Sequence, residues 1–128
     1  MIGSLMMCLS VVVLLVGMLA GIAMGIAQNF VLAPAHAHLN LLGFVVMFLA
    51  AMYYRMVPEA AETRLARCHA VVSVFSAIVF PVGIACVLLG GHDRFEPIVV
   101  GGALAALLGM ALFVIIIYRT AGPAAATR

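Results

Sequence analysis

The chain has no tryptophan, no lysine, only four acidic residues, and three cysteines that form neither a CxxC pair nor a CxxCH. Each scarcity excludes something. Its six basic residues are all arginines and form no run or patch, so no surface is present of the kind that draws nucleic acid. Cys8, Cys68 and Cys86 lie within or beside apolar segments and read as small buried hydrophobes rather than a disulfide framework. With 8% charged residues against 68% hydrophobic ones, 128 residues cannot clothe a water-facing sphere. The solvent must be lipid, and most of the exterior must meet acyl chains or other subunits, which favours a homo-oligomer.

What fills the chain is long apolar runs. A membrane-crossing helix needs about 20 mostly apolar residues, and four runs qualify: Leu5 to Ala27, His38 to Val57, Ala66 to Leu89 and Ile98 to Tyr118. The expected fold is therefore an all-α bundle of four transmembrane helices, one domain over residues 1–128. Met1 to Ala27 lacks the basic start of a signal peptide, and its apolar run exceeds the roughly 7 to 15 residues of a signal core, so it reads as a retained helix. The expected connections are Gln28 to Ala37, Pro58 to Leu65 and Gly90 to Pro97, with Pro81 kinking the third helix near Gly83 and an Ala-rich tail after Arg119.

Arg55, Arg64, Arg67, Arg119 and Arg128 fall on the face that holds both termini, and Arg94 alone falls on the other. Basic residues near helix ends favour the cytoplasmic side, so the expected location is the cytoplasmic membrane with both termini inside and the His36/His38 end outside. Gly17, Gly21 and Gly25 repeat every fourth residue of the first helix, and Gly101, Ala105 and Gly109 do so on the fourth. Such stripes let another backbone approach closely, within the chain or between subunits.

The chemistry is concentrated at Ala35-His36-Ala37-His38-Leu39-Asn40-Leu41-Leu42-Gly43-Phe44. Ionisable residues at membrane depth are costly and mark function by default, and neutral imidazole is the commonest metal ligand. At 3.6 residues per turn, positions two apart differ by about 200°, so His36 and His38 point to nearly opposite faces and do not grip one ion. Spacings of three and four align His36 with Asn40, Gly43 and Met47. Asn40 is placed to orient an imidazole, and Gly43 to leave room for a flat macrocycle. His38 shares its face with Leu42, Val45 and Leu49, an apolar wall. The plainer reading places both histidines at the membrane interface, satisfied by headgroups, water or loop carbonyls.

The run from His36 to Phe44, continuing through Met47 to Tyr53-Tyr54 and Pro58, resembles one helix of subunit I of the haem-copper oxidase superfamily, the cbb-type oxidases and nitric oxide reductases above all. The likeness covers the second helix, with a weaker echo in the Gly-rich first. It implies a haem b cofactor, with His36 matching the ligand of the high-spin haem and His38 that of the low-spin haem. That helix, too, starts at the outer side. The chain departs from the family in having no further histidine cluster for copper or non-haem iron and no carboxylate within its helices to relay protons, so neither a binuclear centre nor proton pumping is implied for a single chain.

Because the family subunit resembles three four-helix arcs about a pseudo-threefold axis, this chain looks like one arc, and a homotrimer would rebuild the whole. A haem at each interface would then take His38 of one subunit and His36 of the next. The expected function is a small membrane b-type haem protein in electron transfer or in binding O2 or NO, an oxidoreductase if it is an enzyme. Two alternatives stand beside it: a cofactor-free structural or assembly subunit of a respiratory complex, and an outer-surface copper or zinc site using His36, His38 and His92. The second helix descends about 28 Å from His38 to Val57 by helix rise and the third begins at that far end, so His69 reads as a polar residue at a helix entry beside Arg67, near the cytoplasmic surface. His92 reads as a loop histidine, and Arg94 either as a partner for a haem propionate or as a solvated loop charge.

Overall fold

In lipid a backbone must satisfy its own polar groups, and the chain does so by being helical almost throughout. The computed structural model describes residues 1–121; Arg128 and the Ala-rich tail from residue 122 onward lie outside them. The order is α1 (Ile2–Ala27), α2 (Ala33–Asn40), a wider π-helical stretch (Leu41–Val46), α3 (Met47–Met56), a single turn α4 (Pro58–Ala61), α5 (Arg64–Gly90) and α6 (His92–Thr120). Four continuous segments are long and apolar enough to cross a membrane: Ile2–Ala27, Ala33–Met56, Arg64–Gly90 and His92–Thr120. The protein is an all-α, multi-pass four-helix membrane bundle, with no strand among the described residues.

Two helix starts fall well before the sequence expectation, one set by a proline and the other by a glycine. The second span begins at Ala33 rather than His38, since Pro34 occupies its first turn, where a missing N–H has no intrahelical partner to lose. His36 and His38 are therefore already helical. The loop expected over Gly90 to Pro97 shrinks to Gly91, which turns the chain at φ 103°, a region open to glycine, and α6 runs from His92 with Pro97 inside it. Gln28 closes α1 in the left-handed region, its N–H bonded to the Gly25 carbonyl and that of Asn29 to Met24.

The helices form an open arc. α1 lies antiparallel along α2 to α3, α2 along α5, and α5 along α6, while α1 and α6 make no extended contact. Glycine sets the first seam: a Cβ on Gly3 would fall 2.9 Å from the Ala51 carbonyl oxygen, on Gly17 against Asn40, on Gly21 3.0 Å from the His36 ring, and on Gly43 2.5 Å from Val13. The α1 stripe is thus an intrachain contact at Gly17 and Gly21, whereas Gly25 faces open space. On α6 the close approach comes from Gly102, where a Cβ would sit 2.6 Å from the Phe80 Cα, and not from Gly101, which has open space around it. The core proper lies toward the termini, around Met6, Met47, Ala51, Tyr54, Ala66 and Ile116. Large side chains such as Leu15, Leu49, Val71, Leu107 and Ile115 stay exposed around the perimeter, as a lipid-facing surface requires.

Candidate functional site

His36 and His38 leave α2 on different sides. The His36 ring lies against Gly21 of α1, and its Nε2 is 3.1 Å from Asn40 Nδ2, one turn on. Asn40 in turn fits into the space that Gly17 leaves. His36 Nδ1 and Asn40 Oδ1 are both enclosed without a hydrogen-bond partner among the described residues. A buried polar atom without a partner costs about 1–3 kcal/mol, so this pair is held by packing, not by satisfaction of its polar groups.

His38 faces the other way. Its ring meets Phe80 of α5 edge to face, centroids 4.8 Å apart, and its Nδ1 is 2.8 Å from the Pro34 carbonyl oxygen. A carbonyl only accepts, so Nδ1 carries the proton and Nε2 carries the lone pair. An imidazole fixed by one N–H on a backbone carbonyl, with the opposite nitrogen free, is the arrangement that metal-ligating histidines adopt. The local cause is the sequence Pro34-x-x-x-His38: the proline starts the helix, and its carbonyl lies one turn before the histidine.

The π-helical stretch follows at once, with Gly43 buried in it. Such wide turns are often found at functional sites. The room at Gly43 is not available to a macrocycle, because Val13 of α1 occupies it. Val45 and Leu49 on the His38 side are exposed. An apolar cavity of about 380 Å³ lies between α1, α2 and α5, walled by Ala20, Ala23, Ala35, His36, Pro81 and Ala85.

The remaining expected residues lie elsewhere. His92 opens α6 as a helical residue, exposed and 3.5 Å from Glu96. Arg94 is exposed and lies over the ring of its neighbour Phe95, 5.5 Å from the centroid. A shared copper or zinc site at His36, His38 and His92 is not assembled: no three His, Cys, Asp or Glu side chains come together among the described residues. The two helical histidines diverge, and His92 is engaged within its own helix.

His69 overturns its expected role. It is 2% exposed, with Nδ1 2.8 Å from the Tyr54 hydroxyl and Nε2 3.0 Å from the Ser73 hydroxyl, and it stacks on Phe113 at 5.0 Å. Both ring nitrogens are engaged, so His69 offers no lone pair to a metal. The signal for this cluster was a histidine at the start of a membrane span, one that calls for a partner if buried; sequence spacing gave no means of choosing Tyr54. No known protein family, curated protein or solved structure matches this chain. The site therefore has to be read from its own chemistry. Tested against a haem b, His38 fits as an axial donor, with a fixed tautomer and an Nε2 that has no hydrogen-bond partner among the described residues, while His36 does not offer Nε2 because Asn40 holds it.

Proposed function

We propose that this chain is a small b-type haem protein of the cytoplasmic membrane, with both termini inside and the His36/His38 end outside, and with His38 as the axial ligand supplied by the chain. The single observation that carries this reading is the His38 tautomer: Nδ1–H on the Pro34 carbonyl, with no hydrogen-bond partner for Nε2 among the described residues. Haem, when bound, supplies reversible one-electron chemistry or binding of a diatomic gas, according to whether its second axial position is filled or open. The chain's own contribution is to hold His38 in one tautomer against Phe80 and to keep His36 engaged by Asn40 and Gly21. With His38 alone offered in this arrangement, the second position is open to O2 or NO; a six-coordinate haem for electron transfer would need His36 of another copy released from Asn40. The open arc, its α1 and α6 ends apart, supports assembly from several copies, and the resemblance favours three. Arg94, on the outer end, is the candidate partner for a propionate.

A reduced-minus-oxidised absorption spectrum of the purified protein tests the reading. Sharp haem bands that vanish in His38→Ala are expected, and carbon monoxide then separates open from filled coordination. A colourless, correctly folded protein would leave the cofactor-free assembly subunit as the reading, for which the apolar perimeter is the supporting observation.

A further inference from the structure

The face that holds the termini carries a second arrangement unrelated to the histidine pair. A basin of about 550 Å³ opens between the start of α1, the end of α3 and the start of α5, and among its walls are Ser4, Tyr54, Arg55, Glu62 and Arg67. Ile2 lines this basin and also an apolar groove of about 360 Å³ that continues along α1 and α5 past Leu5, Leu9, Val71 and Phe75. The groove exists because α1 and α5 touch only slightly while both pack on the second span. A basin with charged side chains in its walls at the helix ends, adjoining at Ile2 an apolar groove between two spanning helices, has the shape of a headgroup above an acyl chain.

Charge indicates which headgroup. Arg55 and Arg67 line the basin with a single carboxylate, Glu62; Arg55 donates to the Ser4 hydroxyl at 3.5 Å, and neither arginine forms an ion pair among the described residues. Arg64 and Arg67 sit in the first turn of α5, which holds no acidic residue. Cations there oppose the helix dipole, whose positive end favours anions. The basin therefore has an excess of positive charge with a geometric opening to lipid. We infer that it binds one anionic phospholipid, its phosphate between Arg55 and Arg67 and an acyl chain in the α1/α5 groove. Guanidinium is suited to this because it meets phosphate with two parallel N–H donors.

The test uses the full chain in mild detergent. Native mass spectrometry with equimolar dioleoylphosphatidylglycerol and dioleoylphosphatidylcholine is expected to show preferential retention of the glycerol lipid, and equal retention overturns the proposal. Thermal melting titrated with the same two lipids and with inorganic phosphate is expected to rise with phosphatidylglycerol alone; phosphate giving the full rise overturns the lipid assignment. In Arg55→Gln/Arg67→Gln the phosphatidylglycerol affinity is expected to fall roughly 30-fold, at about 1 kcal/mol for each arginine near an anionic surface. Arg119→Gln, on the same face but outside the basin, is expected to bind as the wild type; an equal loss there would make the effect general surface charge and refute the site. If the double variant fails to fold, Arg55→Gln and Arg67→Gln singly are each expected to lose roughly 5-fold, at about 1 kcal/mol per arginine, and no loss in either overturns the site.

Discussion

Gly17→Ala probes the packing behind His36 most sharply. The added Cβ would land on the Asn40 side chain, 2.7 Å from its Cγ and closer still to Oδ1. The amide must swing away, which breaks its 3.1 Å contact with His36 Nε2, or α1 and α2 must separate. A lost hydrogen bond costs about 0.5–1.5 kcal/mol, and overpacking a close-packed contact adds about 1–3 kcal/mol. Set against a helix-propensity gain of up to about 1 kcal/mol from alanine, a destabilisation of roughly 1–3 kcal/mol is expected. Gly21→Ala should cost less, since its Cβ would meet one ring atom of His36 at 3.0 Å. Gly25→Ala has open space and should be neutral, or stabilising by up to about 1 kcal/mol through helix propensity. Reversible unfolding by sodium dodecyl sulfate titration from mild detergent measures all three. Equal effects at the three positions, or Gly25→Ala as the worst, would refute the register of α1 on α2.

The same reasoning separates adjacent glycines on α6: Gly102→Ala, whose Cβ would fall 2.6 Å from the Phe80 backbone, should cost more than the usual 1–3 kcal/mol of overpacking, and Gly101→Ala almost nothing, by the same unfolding assay. Tyr54→Phe should destabilise by about 1–3 kcal/mol by leaving His69 Nδ1 without its partner, and Tyr54→Phe/His69→Phe should cost less than the sum of the two single changes; additive values would show that the pair does not interact. Pro34→Ala should leave the second span helical, because alanine also suits a first helical turn, and should keep the His38 contact, which uses the carbonyl that alanine retains. A large loss of helicity by circular dichroism would contradict that account of the helix start.

The four spans were legible in the sequence because hydropathy alone decides where a chain can cross lipid. The alignment of His36 with Asn40, and their divergence from His38, followed from helical spacing. Helix starts were less legible: Pro34 and Pro97 read equally well as loop residues until the structure set them inside helical turns. Partners across helices were not legible at all. Nothing local distinguishes Gly101 from Gly102, and the choice between them depends on where Phe80 of another helix lies. For the same reason His69 read as an entry residue beside Arg67, although it sits between Tyr54 and Ser73. Gly43 read as an open space because the side chain that fills it, Val13, comes from α1.

His38, with Nδ1 on the Pro34 carbonyl and no partner for Nε2 among the described residues, is the side chain on which haem binding would depend most. The most direct measurement is the reduced-minus-oxidised spectrum of the purified protein beside its His38→Ala and His36→Ala variants, each checked for native helicity. Haem bands in the wild type, lost in His38→Ala and retained in His36→Ala, are the predicted result. A folded wild type without haem bands, or bands that persist unchanged in His38→Ala, would contradict it.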